Sequence, residues 1–134
     1  MRLSSKVNAY FRAQAALADT PGFWNCLNAA ETLAQLLRAE GRSPWIGRLR
    51  RVETRGEAVF HAPLIPRCSG GGRAWTTHYV CVEGGLVYDP LAARPRPLRT
   101  FSRCVFGEEI PVETFVGTAE LGEYLASRAS GRRS

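Results

Sequence analysis

The stretch WTTHYVCVEGGLVYDP, residues 75–90, is where the fold of this chain can be read most directly. Trp75 to Val82 is dense in aromatic and β-branched residues and predicts a strand. Glu83-Gly84-Gly85-Leu86 supplies a hairpin turn, and Leu86-Val87-Tyr88-Asp89 predicts the return strand, ended by Pro90. If Gly84-Gly85 is the two-residue loop, Glu83 faces Leu86, Val82 faces Val87, Cys81 faces Tyr88 and Val80 faces Asp89. His78 then shares a sheet face with Val80 and has Asp89 as its diagonal neighbour. A carboxylate there can take the Nδ1 proton of His78 and leave Nε2 directed at a nucleophile. A loop one residue longer would turn Asp89 to the other face, and Asp89-Pro90 also reads as a simple strand-ending turn.

Upstream, the pattern is helical. KVNAYFRAQAALA, residues 6–18, places Val7, Tyr10, Phe11, Gln14 and Leu17 near a 3.6-residue period, and Asp19-Thr20-Pro21-Gly22 ends that helix. A stronger helix is expected from Cys26 to Glu40, with Leu27, Ala30, Leu33, Ala34 and Leu37 as its apolar stripe, Asn25 as its cap and Gly41 as its stop. Pro44–Val52 and Glu57–His61 then read as strands around a turn at Thr54-Arg55-Gly56. APLIPRCSGGGR, residues 62–73, is a loop whose three glycines suit either a close approach to a ligand or a plain surface excursion.

Downstream, a Pro/Arg-rich connection from Ala92 to Arg99 leads to an expected strand from Thr100 to Phe106 and a closing helix from Thr118 to Arg128. Two helices, a run of strands and one late helix indicate an α+β fold with the N-terminal helices packed on an antiparallel sheet. With 134 residues, the chain is read as a single domain over 1–134, residues 129–134 forming a frayed tail.

The formal charge of +6 comes mainly from Arg spread along the chain, the pattern of a solvated surface. Such a surface could attract an acidic protein, and no aromatic-basic module accompanies it to suggest specific nucleic-acid binding. No stretch approaches the roughly 20 apolar residues of a membrane span, and the opening MRLSSKVNAY lacks the apolar run of a signal peptide. Cys26, Cys68, Cys81 and Cys104 form no close pair, so neither a zinc site nor any other cofactor is expected. Cys81 and Cys104 default to core thiols, and His61 to a surface or core histidine.

Cys26 escapes that default because it stands at a helix start. Free backbone N–H groups and the positive end of the helix dipole there stabilise an anion by roughly 0.3 to 2 kcal/mol, and a nearby imidazolium adds to the effect. Paired with His78, the thiolate could attack an amide carbonyl while His78 protonates the leaving amine and Asp89 orients the ring.

In this combination the chain resembles the papain-like cysteine hydrolase superfamily, most closely its small bacterial toxin or effector domains. The resemblance is carried by NCLNAAETLAQLLRAEG from Asn25 and by WTTHYVCVEGGLVYDP from Trp75, within residues 20–92. It implies Cys26 as nucleophile, His78 as base and Asp89 as the orienting residue. It further implies a protein substrate, an acidic immunity or chaperone partner, and synthesis in the cytoplasm of a producer cell with delivery into a target cell. Papain's oxyanion-hole glutamine, shortly before the nucleophile, has no equivalent here. Asn25 or Gln14 could supply a donor beside the Cys26 N–H, although Asn25 also has the cap to serve.

Trp24 and Trp75 are candidate walls of a substrate cleft, each equally readable as a core residue. Protease and protein-glutamine deamidase are the expected activities, with transglutaminase, a catalytically inactive binding domain and a basic nucleic-acid binder as alternatives.

Overall fold

The computed structural model describes residues 4–19, 24–67 and 76–115, together with Glu123 and Ala126. Its first helix, α1, runs from Ser5 to Asp19. Ser4 caps it, accepting from the Val7 N–H at 3.3 Å. Val7, Phe11 and Ala18 are its buried apolar positions. Leu17, expected on that stripe, is 53% exposed, and Ala18 takes the inward place one residue on.

Helix α2 spans Cys26–Ala39 and buries Cys26, Ala29, Ala30, Leu33, Ala34 and Leu37 on one face. Asn25 caps it, its side-chain oxygen accepting from the Asn28 N–H at 3.0 Å. At the other end Glu40 is the C-cap, followed by Gly41 at φ +81°, a left-handed position that suits glycine.

The strands are β1 (Trp45–Leu49), β2 (Arg51–Arg55), β3 (Ala58–Ala62), β4 (His78–Glu83), β5 (Leu86–Tyr88), β6 (Arg96–Pro97) and β7 (Glu113–Phe115). Five of them form an antiparallel sheet in the order β6-β5-β4-β1-β7, while β2 and β3 make a separate ribbon. The β4–β5 register pairs Cys81 with Tyr88, Val82 with Val87 and Glu83 with Leu86. That is the two-residue-loop register, made possible by Gly84 and Gly85 at φ +59° and +77°.

The pleat divides the core between the two faces of the sheet. Ile46, Cys81 and Tyr88 pack with Val7, Phe11, Leu33 and Leu37 of the helices. Val80, Val82 and Val87 pack with Phe101, Val105 and Ile110. The first turn of α2, at Cys26 and Ala29, belongs to this second group, so the helix start reaches the end of the sheet where β4 begins. In β1 only glycine fits at position 47, since a Cβ there would stand 2.7 Å from Val112 Cγ1 and 3.0 Å from Val80 Cγ2.

Three sequence expectations are corrected. The expected strand over Pro44–Val52 breaks at Arg50 into β1 and β2. Beyond Leu49 the chain carries Arg50, Arg51, Glu53 and Arg55, too polar to continue into the core. The expected strand over Thr100–Phe106 is instead helix α3, Phe101–Phe106. Its buried residues fall at 101, 102, 105 and 106, a helical spacing that a β-rich composition concealed, and Gly107 at φ +79° ends it. Cys104, expected in the core, is exposed on this helix.

Strand β7 has no counterpart among the expected strands. It brings Glu113 to Arg48, a buried guanidinium held by two hydrogen bonds of 2.7 and 3.3 Å. The expected closing helix over 118–128 lies outside the described residues except at Glu123 and Ala126, and so do the triglycine segment 70–72, Cys68, Trp75 and the tail 129–134. No helix among the described residues is long and apolar enough to cross a membrane.

Candidate active site

His78 opens β4 opposite Leu49, and Asp89 follows directly on β5. Both side chains are fully buried. His78 Nε2 lies 2.7 Å from Asp89 Oδ2, within a charge-assisted hydrogen bond. The other carboxylate oxygen, Oδ1, accepts from the Leu91 N–H at 3.1 Å and caps the single 3-10 turn Pro90–Ala92. The two sequence readings of Asp89, partner of His78 and turn residue, are therefore both realised, one on each oxygen.

The ring is oriented opposite to expectation. Nε2, not Nδ1, meets the carboxylate. Asp89 is a diagonal neighbour on the adjacent strand, and the ring nitrogen farther from the backbone is the one that spans that distance.

Burial alone would pull the His78 pKa down from its ordinary 6.5. The Asp89 carboxylate, through its charge and its hydrogen bond, and the neighbouring Cys26 sulfur overcome this and raise it to about 10. Cys26 is the first residue of α2, 8% exposed, and its sulfur is one of the groups that raise the His78 pKa. His78 and Asp89 are thus joined by a hydrogen bond, and the Cys26 sulfur at the helix start is among the groups that raise the imidazole's pKa.

Two aromatic rings flank His78. Trp24 lies 6.2 Å away, tilted by 44°, and Phe106 meets the imidazole nearly edge to face at 5.7 Å. Trp24 is only 7% exposed, so of its two sequence readings the structure realises core packing beside the histidine, not an open cleft wall. Its indole N–H donates to Gln14 Oε1 at 2.9 Å. The oxygen of Gln14 is thereby committed to Trp24 and that of Asn25 to the helix cap, which leaves their amide nitrogens as the groups able to donate to an oxyanion. Sequence reasoning missed Phe106, because a strand was expected at its position and nothing local signalled a contact with His78.

The remaining candidates are dispersed. Cys81 is a core thiol, pushed up to about 12 by burial, with Glu83 also raising it and Arg38 opposing. His61 is exposed on β3. Among the described residues no group of three or more His, Cys, Asp or Glu side chains could hold a metal ion. No protein-family model, curated protein or solved structure matches the chain.

Proposed function

We propose that this chain is a cysteine-dependent hydrolase of amide bonds in a protein substrate, papain-like in its fold and of the toxin or effector type. The observation that carries the reading is the buried contact between His78 Nε2 and Asp89 Oδ2 at 2.7 Å, on an imidazole that also feels the Cys26 sulfur. With Nε2 committed to Asp89, Nδ1 is the nitrogen left to serve the nucleophile. A ring whose pKa is raised to about 10 beside Asp89 holds the proton that the mechanism passes to the leaving nitrogen.

In the reaction, Cys26 Sγ attacks the carbonyl carbon of the amide and forms a tetrahedral oxyanion. In this mechanism the Cys26 N–H at the helix start donates to that oxyanion, with Asn25 Nδ2 or Gln14 Nε2 as the second donor. The C–N bond breaks as His78 passes its proton to the leaving nitrogen, and water then cleaves the thioester with His78 as base. A backbone amine as leaving group makes the activity proteolysis, ammonia from a glutamine side chain makes it deamidation, and capture of the thioester by a second amine makes it transglutamination.

A second reading, a binding domain on the same scaffold with an inert Cys26, is favoured by one observation. The thiol is 8% exposed. Intact-mass analysis of candidate acidic protein partners, incubated with the wild type and with Cys26→Ala, separates the two. A gain of about 1 Da, or two fragments sharing one added water, seen only with the wild type, supports the hydrolase. Unaltered masses together with retained complex formation by Cys26→Ala support the binding domain.

A further inference from the structure

Helix α3 has only six residues, Phe101–Phe106, too few for its own backbone bonds to keep it in place. Contacts from elsewhere in the chain fasten it. The Ser102 hydroxyl accepts from the Ile110 N–H at 2.9 Å, which ties the segment after the helix back onto its first turn. The Arg67 N–H donates to the Val105 carbonyl at 2.7 Å, and the Arg67 side chain packs over Gly107, in the place that a Cβ would take. Both Arg67 contacts fall on the residues that flank Phe106.

The helix end held in this way carries the Phe106 ring, 8% exposed, to His78. The two rings stand 5.7 Å apart and nearly perpendicular, at 74°. Phe101, fully buried, backs Phe106 at 6.4 Å and 84°, so the ring that meets the imidazole is itself fixed. Trp24 is farther from the imidazole, at 6.2 Å, and tilted by 44°.

His78 needs such walls. The torsion that turns a histidine ring about its bond to Cβ is broad and two-fold, so the backbone does not set it. The hydrogen bond from Nε2 to Asp89 Oδ2 fixes one atom of the ring rather than its plane. A half-turn about the same bond would withdraw Nε2 and offer the carboxylate a C–H. Packing must therefore choose between the two states, and a perpendicular aromatic partner favours the one it fits by roughly two- to tenfold.

We propose that Phe106 is a positioning residue for His78: its ring holds the imidazole in the orientation in which Nε2 meets Asp89, leaving Nδ1 for the nucleophile. The inference deepens the hydrolase reading and rests on it only for the use of Nδ1; the hold on the ring stands apart from it.

The test uses the full chain with its histidines labelled with 15N. There are two, His78 and the exposed His61, so one reports and the other serves as reference. In the wild type at pH 7, nuclear Overhauser contacts are expected between the Phe106 ring and the carbon-bound ring protons of His78. Their absence overturns the inference whether or not any variant folds. Phe106→Leu should speed exchange of the His78 Nε2 proton with water at least about threefold. Val105→Ala, which thins the same core without removing a ring, and Phe106→Tyr, which keeps the ring, should each stay within about twofold of the wild type. An unchanged rate in Phe106→Leu, an equal rise in Val105→Ala, or a Phe106→Tyr that behaves as Phe106→Leu overturns the inference.

Alkylation of Cys26 by iodoacetamide, in which the thiolate forms a C–S bond as iodide leaves, reads the service of Nδ1. Its rate at pH 7 should fall at least about threefold in Phe106→Leu and hold in Phe106→Tyr. Slowing in His78→Ala that Phe106→Leu does not share overturns the inference. If the His78 proton loosens in Phe106→Leu while labelling of Cys26 is unchanged both there and in His78→Ala, the hold on the ring is upheld and the Cys26–His78 pairing of the hydrolase reading is overturned.

Discussion

Replacing Asp89 by Asn tests the centre of the site without adding or removing a heavy atom. The wild-type carboxylate serves two donors, His78 Nε2 at 2.7 Å and the Leu91 N–H at 3.1 Å, whereas an amide has one oxygen for both. The negative charge that offsets the burial of an imidazolium is also lost. A histidine whose pKa rises from 6.5 to about 10 on folding gains stability from its proton that is fully present below pH 6.5 and is lost as pH rises through 10. By linkage this contribution is roughly 4 kcal/mol at pH 7, about 2 kcal/mol at pH 8.5 and less than about 1 kcal/mol at pH 10.

In Asp89→Asn only the Cys26 sulfur still opposes burial, and the ring gives up its proton at a lower pH than in the wild type. The stability gap between wild type and variant, from urea unfolding followed by tryptophan fluorescence, should therefore be largest near pH 6–7. It should shrink by roughly 3 kcal/mol by pH 10. If the ring keeps Nε2 toward the new amide nitrogen, its proton moves to Nδ1, the wrong tautomer for a base, and turnover should fall even where the protein remains folded. A gap that stays constant within about 1 kcal/mol from pH 7 to 10 would refute the charged His78–Asp89 pair.

Gly47→Ala should cost about 1–3 kcal/mol of stability, because the new methyl would stand 2.7 Å from Val112 Cγ1. Val112→Ala in the same chain should restore part of the loss, and simple addition of the two single losses in urea unfolding would show that the clash is absent. Gln14→Leu removes the acceptor at 2.9 Å from the Trp24 indole N–H and should speed its hydrogen exchange several-fold, while Gln14→Glu keeps an oxygen in place and should not. Equal exchange in both variants would detach Gln14 from Trp24. Under native alkylation at pH 8, followed by peptide mass mapping, exposed Cys104 should be modified and buried Cys81, raised to about 12, should stay protected until unfolding. His78→Ala should slow labelling of Cys26, and an unchanged rate would remove the imidazole from its environment.

The hairpin was legible because each of its rules is local. Gly84-Gly85 permits the positive backbone angles of a two-residue turn, that turn sets the register, and the register carries Asp89 to the face of His78. The cap at Asn25 and the buried stripe of α2 were legible for the same reason, since capping and 3.6-residue periodicity act over a few neighbouring positions. Where local composition and tertiary packing disagreed, packing prevailed. Phe101-Ser102-Arg103-Cys104-Val105-Phe106 has the residues of a strand, yet it coils into a helix that sets Phe101, Val105 and Phe106 against the sheet.

From the order of residues alone came the helix start at Cys26, the strand histidine and the carboxylate one strand away, together with the α+β class. Which ring nitrogen of His78 meets Asp89, that Trp24 turns inward onto Gln14, and that Phe106 lies nearly edge to face with the imidazole were decided by three-dimensional packing. The reason is physical. Local rules determine which way a side chain leaves the backbone, but a ring's final orientation depends on atoms from segments tens of residues away, and no sequence spacing records where those atoms meet.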